Sequence, residues 1–375
     1  MPNELNFDLN FLQTQVAPAT PLHAPEPGTL IIKVKNSAEF EQALNGLQDR
    51  TTILLADGVY PTPGTWTVRA NQITIRSESG VREKVIFDGN NARHSMLTLD
   101  GGKDFTLADV TFFNGELYGF RIMGDTGAVG TRVHNVKFHN IWTRALKGTH
   151  PQRPGDKAEN LYSMDEARKR RPSGGSIRHC LFLCDTPKPW PGYHEPDYIS
   201  GIDMMMLKDW DISDNLFVGI RGPNGGGRGA IFIWVYSEDV RAERNLIVNC
   251  DRSICFGNPS GDYPHMTRGI IRDNKILPGA NKAIELCASL DSEISNNTIY
   301  ATDHAYPNTI HVFEATKNAS CHHNWVHGHI VSDSETKLDQ NLVGNFENQL
   351  VNALKGDLHF KPETKTRAGN CGARS

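Results

Sequence analysis

No stretch of this sequence approaches the roughly 18 consecutive apolar residues that a membrane-spanning helix needs. Only 38% of its 375 residues are hydrophobic and 8% aromatic, yet short apolar runs recur throughout, which excludes a disordered chain. Neither sign of charge dominates. The 39 lysines and arginines stand against 43 acids, a net charge of −4, which argues against a dedicated nucleic-acid binder. Residues 1–15 hold no basic segment followed by an apolar core, so no signal peptide is visible. Either the protein is cytoplasmic or the chain starts after a removed signal. The seven cysteines, Cys180, Cys184, Cys250, Cys255, Cys287, Cys321 and Cys371, are odd in number and match no zinc spacing. Mostly free, buried thiols are expected. In Cys321-His322-His323 strand neighbours should face opposite sides, so no zinc site is expected there. The run Arg221-Gly222-Pro223-Asn224-Gly225-Gly226-Gly227-Arg228 lacks the Lys-Ser or Lys-Thr of a phosphate-binding loop. It reads as a flexible turn.

What is present is a repeat. Asparagine recurs just before a pair of apolar positions: Asn135, Asn215, Asn245, Asn274, Asn297, Asn324 and Asn341, with Asp109 and Cys180 in equivalent places. From Asn215 to Asn324 the steps are 30, 29, 23 and 27 residues, by subtraction of 215, 245, 274, 297 and 324. That period is expected of a solenoid. Asparagine tolerates left-handed corners, and stacked amides can bond from rung to rung. A second apolar strand follows each Asn strand in a small–apolar–variable frame: Ala145-Leu146-Lys147, Gly201-Ile202-Asp203, Ala230-Ile231-Phe232, Ser253-Ile254-Cys255, Ala283-Ile284-Glu285 and Thr309-Ile310-His311. With the aliphatic residue inward, alternation turns the next one outward. Lys147, Asp203, Phe232, Cys255, Glu285 and His311 should therefore form one outer column, with rungs about 4.8 Å apart.

These patterns predict an all-β, right-handed parallel β-helix. Residues 1–28 read as an extended Pro-rich arm, 29–360 as one solenoid domain and 361–375 as a tail. Ser37 is placed to cap a short helix carrying Phe40, Ala43, Leu44 and Leu47 that closes the first rung. Two long loops, 149–174 and 185–198, flank the Lys147 and Asp203 rungs, and Ser163 to Glu166 is a capping box that starts a surface helix in the first. The basic run Arg168 to Arg171 reads as its solvated face.

The outer column is the first candidate site. Arg144, Arg228 and Arg252 can pair bidentately with carboxylates, and Phe232, Trp234, Trp190 and His311 offer rings and a hydrogen bond to a sugar. The second is Tyr193-His194-Glu195-Pro196-Asp197-Tyr198, with an acid–base histidine, two carboxylates and two phenols. Asp203 with Glu285 or Asp197 could hold a hard cation such as calcium.

The segments Asp57-Gly58-Val59-Tyr60, Ile73-Thr74-Ile75-Arg76 and Val85-Ile86-Phe87-Asp88-Gly89 resemble the opening rungs of β-helix polysaccharide lyases of the chondroitinase B and alginate lyase kind. Later runs, among them Lys208-Asp209-Trp210-Asp211-Ile212 and Cys250-Asp251-Arg252-Ser253-Ile254-Cys255-Phe256-Gly257, look like a bacterial β-helix group of unsettled activity. The resemblance implies β-elimination on a uronate-containing polysaccharide, with a Lys or Arg as base and a cation on the carboxylate. The longer motif around the catalytic Lys and Arg of the chondroitinase type is not recognisable, so Lys147 matches by chemistry alone. On this reading Lys147 is the base, and Arg144, Arg228 or Arg252 neutralises the carboxylate. Asp203 and Glu285 bind calcium or orient the sugar, and Tyr193 or His194 returns the proton. The expected partner is an acidic polysaccharide, with no nucleic acid and no membrane span. A monomer in a secreted or periplasmic setting, or else the cytoplasm, completes the expectation. The alternatives are a hydrolase or epimerase using Asp203 and Glu285 as paired acids, and a non-catalytic glycan-binding module.

Overall fold

A computed structural model describes residues 7–149, 163–186, 197–260, 263–302 and 309–374. Short runs of β-branched and aromatic residues are interrupted by residues at positive φ, so the chain cannot run straight for more than a few residues. It coils instead. One turn supplies Lys208–Ser213 to a first sheet, Leu216–Val218 to a second and Gly229–Trp234 to a third, and then re-enters the first sheet at Ser237–Glu243. The sheets hold 14, 11 and 10 strands, and every pairing within them is parallel. This is the expected right-handed parallel β-helix.

The corner between the first and second sheets explains the repeat. Asp214, Arg244, Asp273, Asn296, His323 and Gln340 all lie at φ between 48° and 59°, and the asparagine follows each of them. Asn215 Nδ2 donates to Asn245 Oδ1 at 3.0 Å, Asn245 to Asn274 at 3.0 Å, Asn274 to Asn297 at 2.9 Å, Asn297 to Asn324 at 2.9 Å and Asn324 to Asn341 at 2.9 Å. The asparagine therefore makes the ladder while its predecessor makes the left-handed turn. This corrects the sequence alignment at two rungs. Asn135 (φ 52°) and Asp109 (φ 56°) are themselves turn residues, level with Asp214, so Val136 and Val110 occupy the ladder place. Cys180 does stand in the ladder, its backbone N–H donating to Asn215 Oδ1 at 2.9 Å. Inside, Phe87, Phe112, Phe138, Phe182 and Phe217 form a continuous column, with successive centroids 5.2, 5.2, 4.9 and 4.5 Å apart.

Both ends depart from expectation in detail. The first rung is closed by a helix, Ser37–Asn45, whose cap is Asn36 rather than Ser37: the Asn36 side chain accepts from the Glu39 N–H. Phe40 on this helix is buried edge-on to Trp66, at 4.8 Å. The arm is not free. It begins in a short helix, Leu9–Thr14, whose Leu12 is buried against Leu181, Leu216, Leu246 and Val248 on the outer face of the second sheet. Its later carbonyls are then taken by His179 (to Ala17), His134 (to Thr20) and Arg76 (to Leu22 and His23). The arm is thus a strap laid across the rungs. The last coil ends at Gly344, and an antiparallel pair, Leu350–Asn352 with Asp357–Phe360, and a helix, Pro362–Ala368, fold back over the same apolar face. The solenoid stops short of residue 360.

Candidate functional site

The third sheet carries two outward columns. Pairing sets Arg121, Lys147, Asp203, Phe232, Cys255, Glu285 and His311 side by side on successive rungs, the column read from the sequence with Arg121 added below it. A parallel column three residues earlier runs Tyr118, Arg144, Ser200 and Gly229. Arg252 and Lys282 extend it, since each stands two residues before an inward isoleucine of the same register. The first column is not a solvated stripe. Lys147, Asp203, Phe232, Cys255, Glu285 and His311 are all buried. Tyr118, Arg121, Tyr198, Arg228, Trp234, Arg252 and Lys282 are half-buried and form its rim.

Asp203 is fully buried and organises the lower part of the face. Its Oδ2 accepts from Arg144 Nε at 2.6 Å and lies 2.9 Å from Lys147 Nζ, and its Oδ1 accepts from Trp234 Nε1 at 3.1 Å. Burial alone would push this carboxyl up, but the two cations outweigh it and hold the pKa at about 2. The guanidinium of Arg144 lies flat over the Tyr198 ring, 3.3 Å from its centroid. Among the described residues, Arg144 Nη2 and Arg121 Nε are buried donors with no hydrogen-bond partner. Burial raises the pKa of the Tyr118 phenol beside them, with Arg144 and Arg121 pulling against it. Arg144 and Lys147 share the single carboxylate of Asp203, and among the described residues Arg144 Nη2 meets no acceptor. Such a centre is matched by an anion.

The same arrangement recurs higher up. Glu285 Oε1 accepts from Arg252 Nε at 2.9 Å and stands 3.4 Å from Lys282 Nζ. Arg252 also donates to the carbonyls of Gly226 and Gly227, at 3.1 and 2.9 Å. Beyond it, His311 Nε2 meets Asp333 Oδ2 at 2.6 Å and stacks on Phe313 at 3.8 Å. Between the two charged centres the columns carry Ser200, Gly229, Phe232 and Cys255, with Phe232 and Trp234 stacked 5.0 Å apart and the half-buried Arg228 at the rim. Burial, aided by Glu285, drives the Cys255 thiol well up, so it is no nucleophile.

The glycine-rich segment is built rather than flexible. Asp251 accepts from the Gly222 and Gly227 N–H groups at 2.7 and 2.9 Å, and Asp197 accepts from Asn224 N–H at 2.8 Å. A Cβ at Gly222 would stand 2.2 Å from Asp197 Oδ1, so the chain folds this tightly only with glycine there.

Calcium does not fit these carboxylates. Both oxygens of Asp203 are engaged by cations or the Trp234 indole, Glu285 Oε1 faces two cations, and Asp197 takes a backbone N–H. Asp203 and Glu285 are three rungs apart, about 14 Å at the usual rung spacing. That is too far to share an ion, and beyond the roughly 5–9.5 Å that paired glycosidase acids require. Among the described residues no group of three or more His, Cys, Asp or Glu is placed to hold a metal. His322 and His323 do meet, Nδ1 to Nδ1 at 2.9 Å, because His323 is left-handed (φ 55°) rather than in a regular strand. Cys321 points into the core away from them. All seven cysteines are free. The Arg168 to Arg171 run is partly pinned, with Arg168 and Arg171 on Glu238.

Trp190, Tyr193 and His194, with most of the loop 185–198, lie outside the described residues. Tyr118, Arg121 and Lys282 are the site residues that sequence reasoning left out, while Tyr198, from the second candidate, joins the first through its ring contact with Arg144. Gly119-Phe120-Arg121 follows the same small–apolar–charged frame as Ala145-Leu146-Lys147, so the signal for Arg121 was present. A separate cavity of about 540 Å³, lined by Lys275, His323, His359, Lys365 and Arg374 among others, lies at the C-terminal fold-back, away from this face.

No family model matches the chain, and no curated protein matches it. Among solved structures it is similar to an alginate lyase from Paenibacillus sp., with a TM-score of 0.52, 15% identity, and coverage of 84% of this chain and 99% of that one. It is also similar to the catalytic unit of a thermostable GH87 α-1,3-glucanase from Streptomyces thermodiastaticus. There the TM-score is 0.55 and the identity 12%, and the match covers 86% of this chain and 57% of that one. At such identities the likeness shows the shared parallel β-helix fold, a scaffold that carries both a lyase and a glucanase.

Proposed function

We propose that the protein is a polysaccharide lyase that cleaves a uronate-containing polymer by β-elimination across the third sheet. The observation that carries this reading is the buried Arg144–Asp203–Lys147 centre: two cations on one carboxylate, with Arg144 Nη2 unpartnered. β-Elimination needs the uronate carboxylate neutralised so that the neighbouring carbon acid can lose its proton. Arg144 and Arg121 supply that charge from donors that have no other partner. Lys147, one rung above Arg121, takes the proton, and Tyr118, one rung below Arg144, returns one to the leaving sugar oxygen. Asp203 holds Lys147 beside the guanidinium of Arg144 in a fixed geometry. The fold likeness to an alginate lyase supports the class. The spacing of Asp203 and Glu285 weighs against hydrolysis by paired acids.

The test is a panel of acidic and neutral polysaccharides, read by the ultraviolet absorbance of unsaturated uronate and by new reducing ends. Wild type should produce both signals from a uronate polymer, and Lys147→Met should lose about 10²-fold or more in kcat while keeping its fold. Reducing ends without absorbance, or full activity in Lys147→Met, would reject the assignment.

A further inference from the structure

The two cation pairs of the third sheet are copies of one device. Arg144 and Lys147 share Asp203, and Arg252 and Lys282 share Glu285. Each sets an arginine and a lysine on one carboxylate, and the two arginines stand in the same column, three rungs apart by way of Ser200 and Gly229. The span is about 14 Å. Nothing charged on the two columns intervenes: the ground between them is Ser200, Gly229, Phe232 and Cys255, with the half-buried Trp234 ring lying over Phe232 at 5.0 Å. Arg228 stands at the rim beside this ground, and a face with a cation pair at each end and an aromatic platform between them is complementary to an anionic chain that lays a ring face on its middle.

We infer that Arg252 and Lys282 form a second carboxylate subsite, so that the face takes a uronate oligosaccharide of at least four sugars. One carboxylate sits at Arg144, an inner sugar lies on Trp234, and a carboxylate three sugars along sits at Arg252 and Lys282. A pyranose with its linkage advances a chain by about one rung, so a disaccharide cannot reach both centres and a tetrasaccharide can. Engaging the second centre from an already bound chain is an intramolecular event and raises affinity without any new chemistry at the first. The inference rests on the lyase reading for the identity of the ligand, and the experiment separates the two.

Binding of uronate oligomers from two to six sugars is measured by titration calorimetry on the full chain carrying Lys147→Met, so that nothing is cleaved. Affinity should step up about tenfold between the disaccharide and the tetrasaccharide and then level off. Lys282→Met and Arg252→Met, each added singly, should bring the tetrasaccharide down toward the disaccharide. Lys282→Met is the safer of the two cation variants, because Arg252 also holds the carbonyls of Gly226 and Gly227. An affinity that rises evenly with length, or a step that survives Lys282→Met, overturns the second subsite and leaves the lyase reading intact. No binding of any uronate oligomer overturns both.

Discussion

The asparagine corner and the charged face of the third sheet are both stacks of buried polar side chains, one per rung, yet they are built on opposite terms. At the corner, Asn215, Asn245, Asn274 and Asn297 are identical, neutral and fully bonded: each amide donates upward and to a core-strand carbonyl, and each oxygen accepts from the rung before. On the third sheet no two neighbouring rungs match. Charges are concentrated, and donors such as Arg144 Nη2 are left over. A buried polar group without a partner costs about 1–3 kcal/mol, and others occur away from this face, Arg171 Nε and Asn296 Oδ1 among them, so the idle Arg144 donor gains its meaning from the second cation and the Tyr198 ring packed beside it. The corner holds the solenoid together; the face departs from the repeat where chemistry requires it.

The comparison can be broken most forcefully at Asp203. Asp203→Leu removes the carboxylate that the buried Arg144 and Lys147 share and should destabilise the protein by about 3–5 kcal/mol, read by denaturant unfolding. A loss below about 1 kcal/mol would mean that the two cations do not depend on it. Next comes the ladder. Asn245→Leu removes the acceptor for Asn215 and the donor to the Ile212 carbonyl, and should cost about 3 kcal/mol, whereas Asn341→Leu at the exposed end should cost about 1 kcal/mol. Equal losses at the two positions would show that the ladder acts locally and not as a cooperative column. Acid sensitivity is smaller than the losses at Asp203 and Asn245. The Asp203 carboxyl sits at about 2 against an ordinary 3.8, so its ionised form favours the folded state above about pH 4 and that contribution, about 2 kcal/mol, fades as pH falls toward 2. The stability gap between wild type and Asp203→Asn should narrow over that window; a constant gap would mean the carboxylate is not depressed.

The fold was legible because a solenoid writes its geometry into the sequence at each turn. The recurrent asparagines and the small–aliphatic–variable frames placed Lys147, Asp203, Phe232, Cys255, Glu285 and His311 in register before any coordinates. The one-residue slip at Asn135 and Asp109 arose because asparagine and aspartate suit both the left-handed turn and the ladder, and only backbone angles separate the two uses. The strap was read as a loose arm because Leu12 finds its partners, Leu181, Leu216 and Leu246, on an outer sheet face more than 160 residues away. Partnership was the least legible layer. Alternation says that Asp203 points outward, but not that Arg144, Lys147 and Trp234 close over it and engage the oxygens that the calcium reading assigned to a metal.

The central claim, that the third-sheet face is a site for uronate carboxylates, is tested most directly by a crystal structure of the Lys147→Met protein with a uronate tetrasaccharide. The account predicts a carboxylate hydrogen-bonded to Arg144 Nη2, with an inner sugar against Trp234. Density for the sugar only elsewhere, as in the cavity beside Lys275 and His359, with the Arg144 donor still unmet, would contradict it.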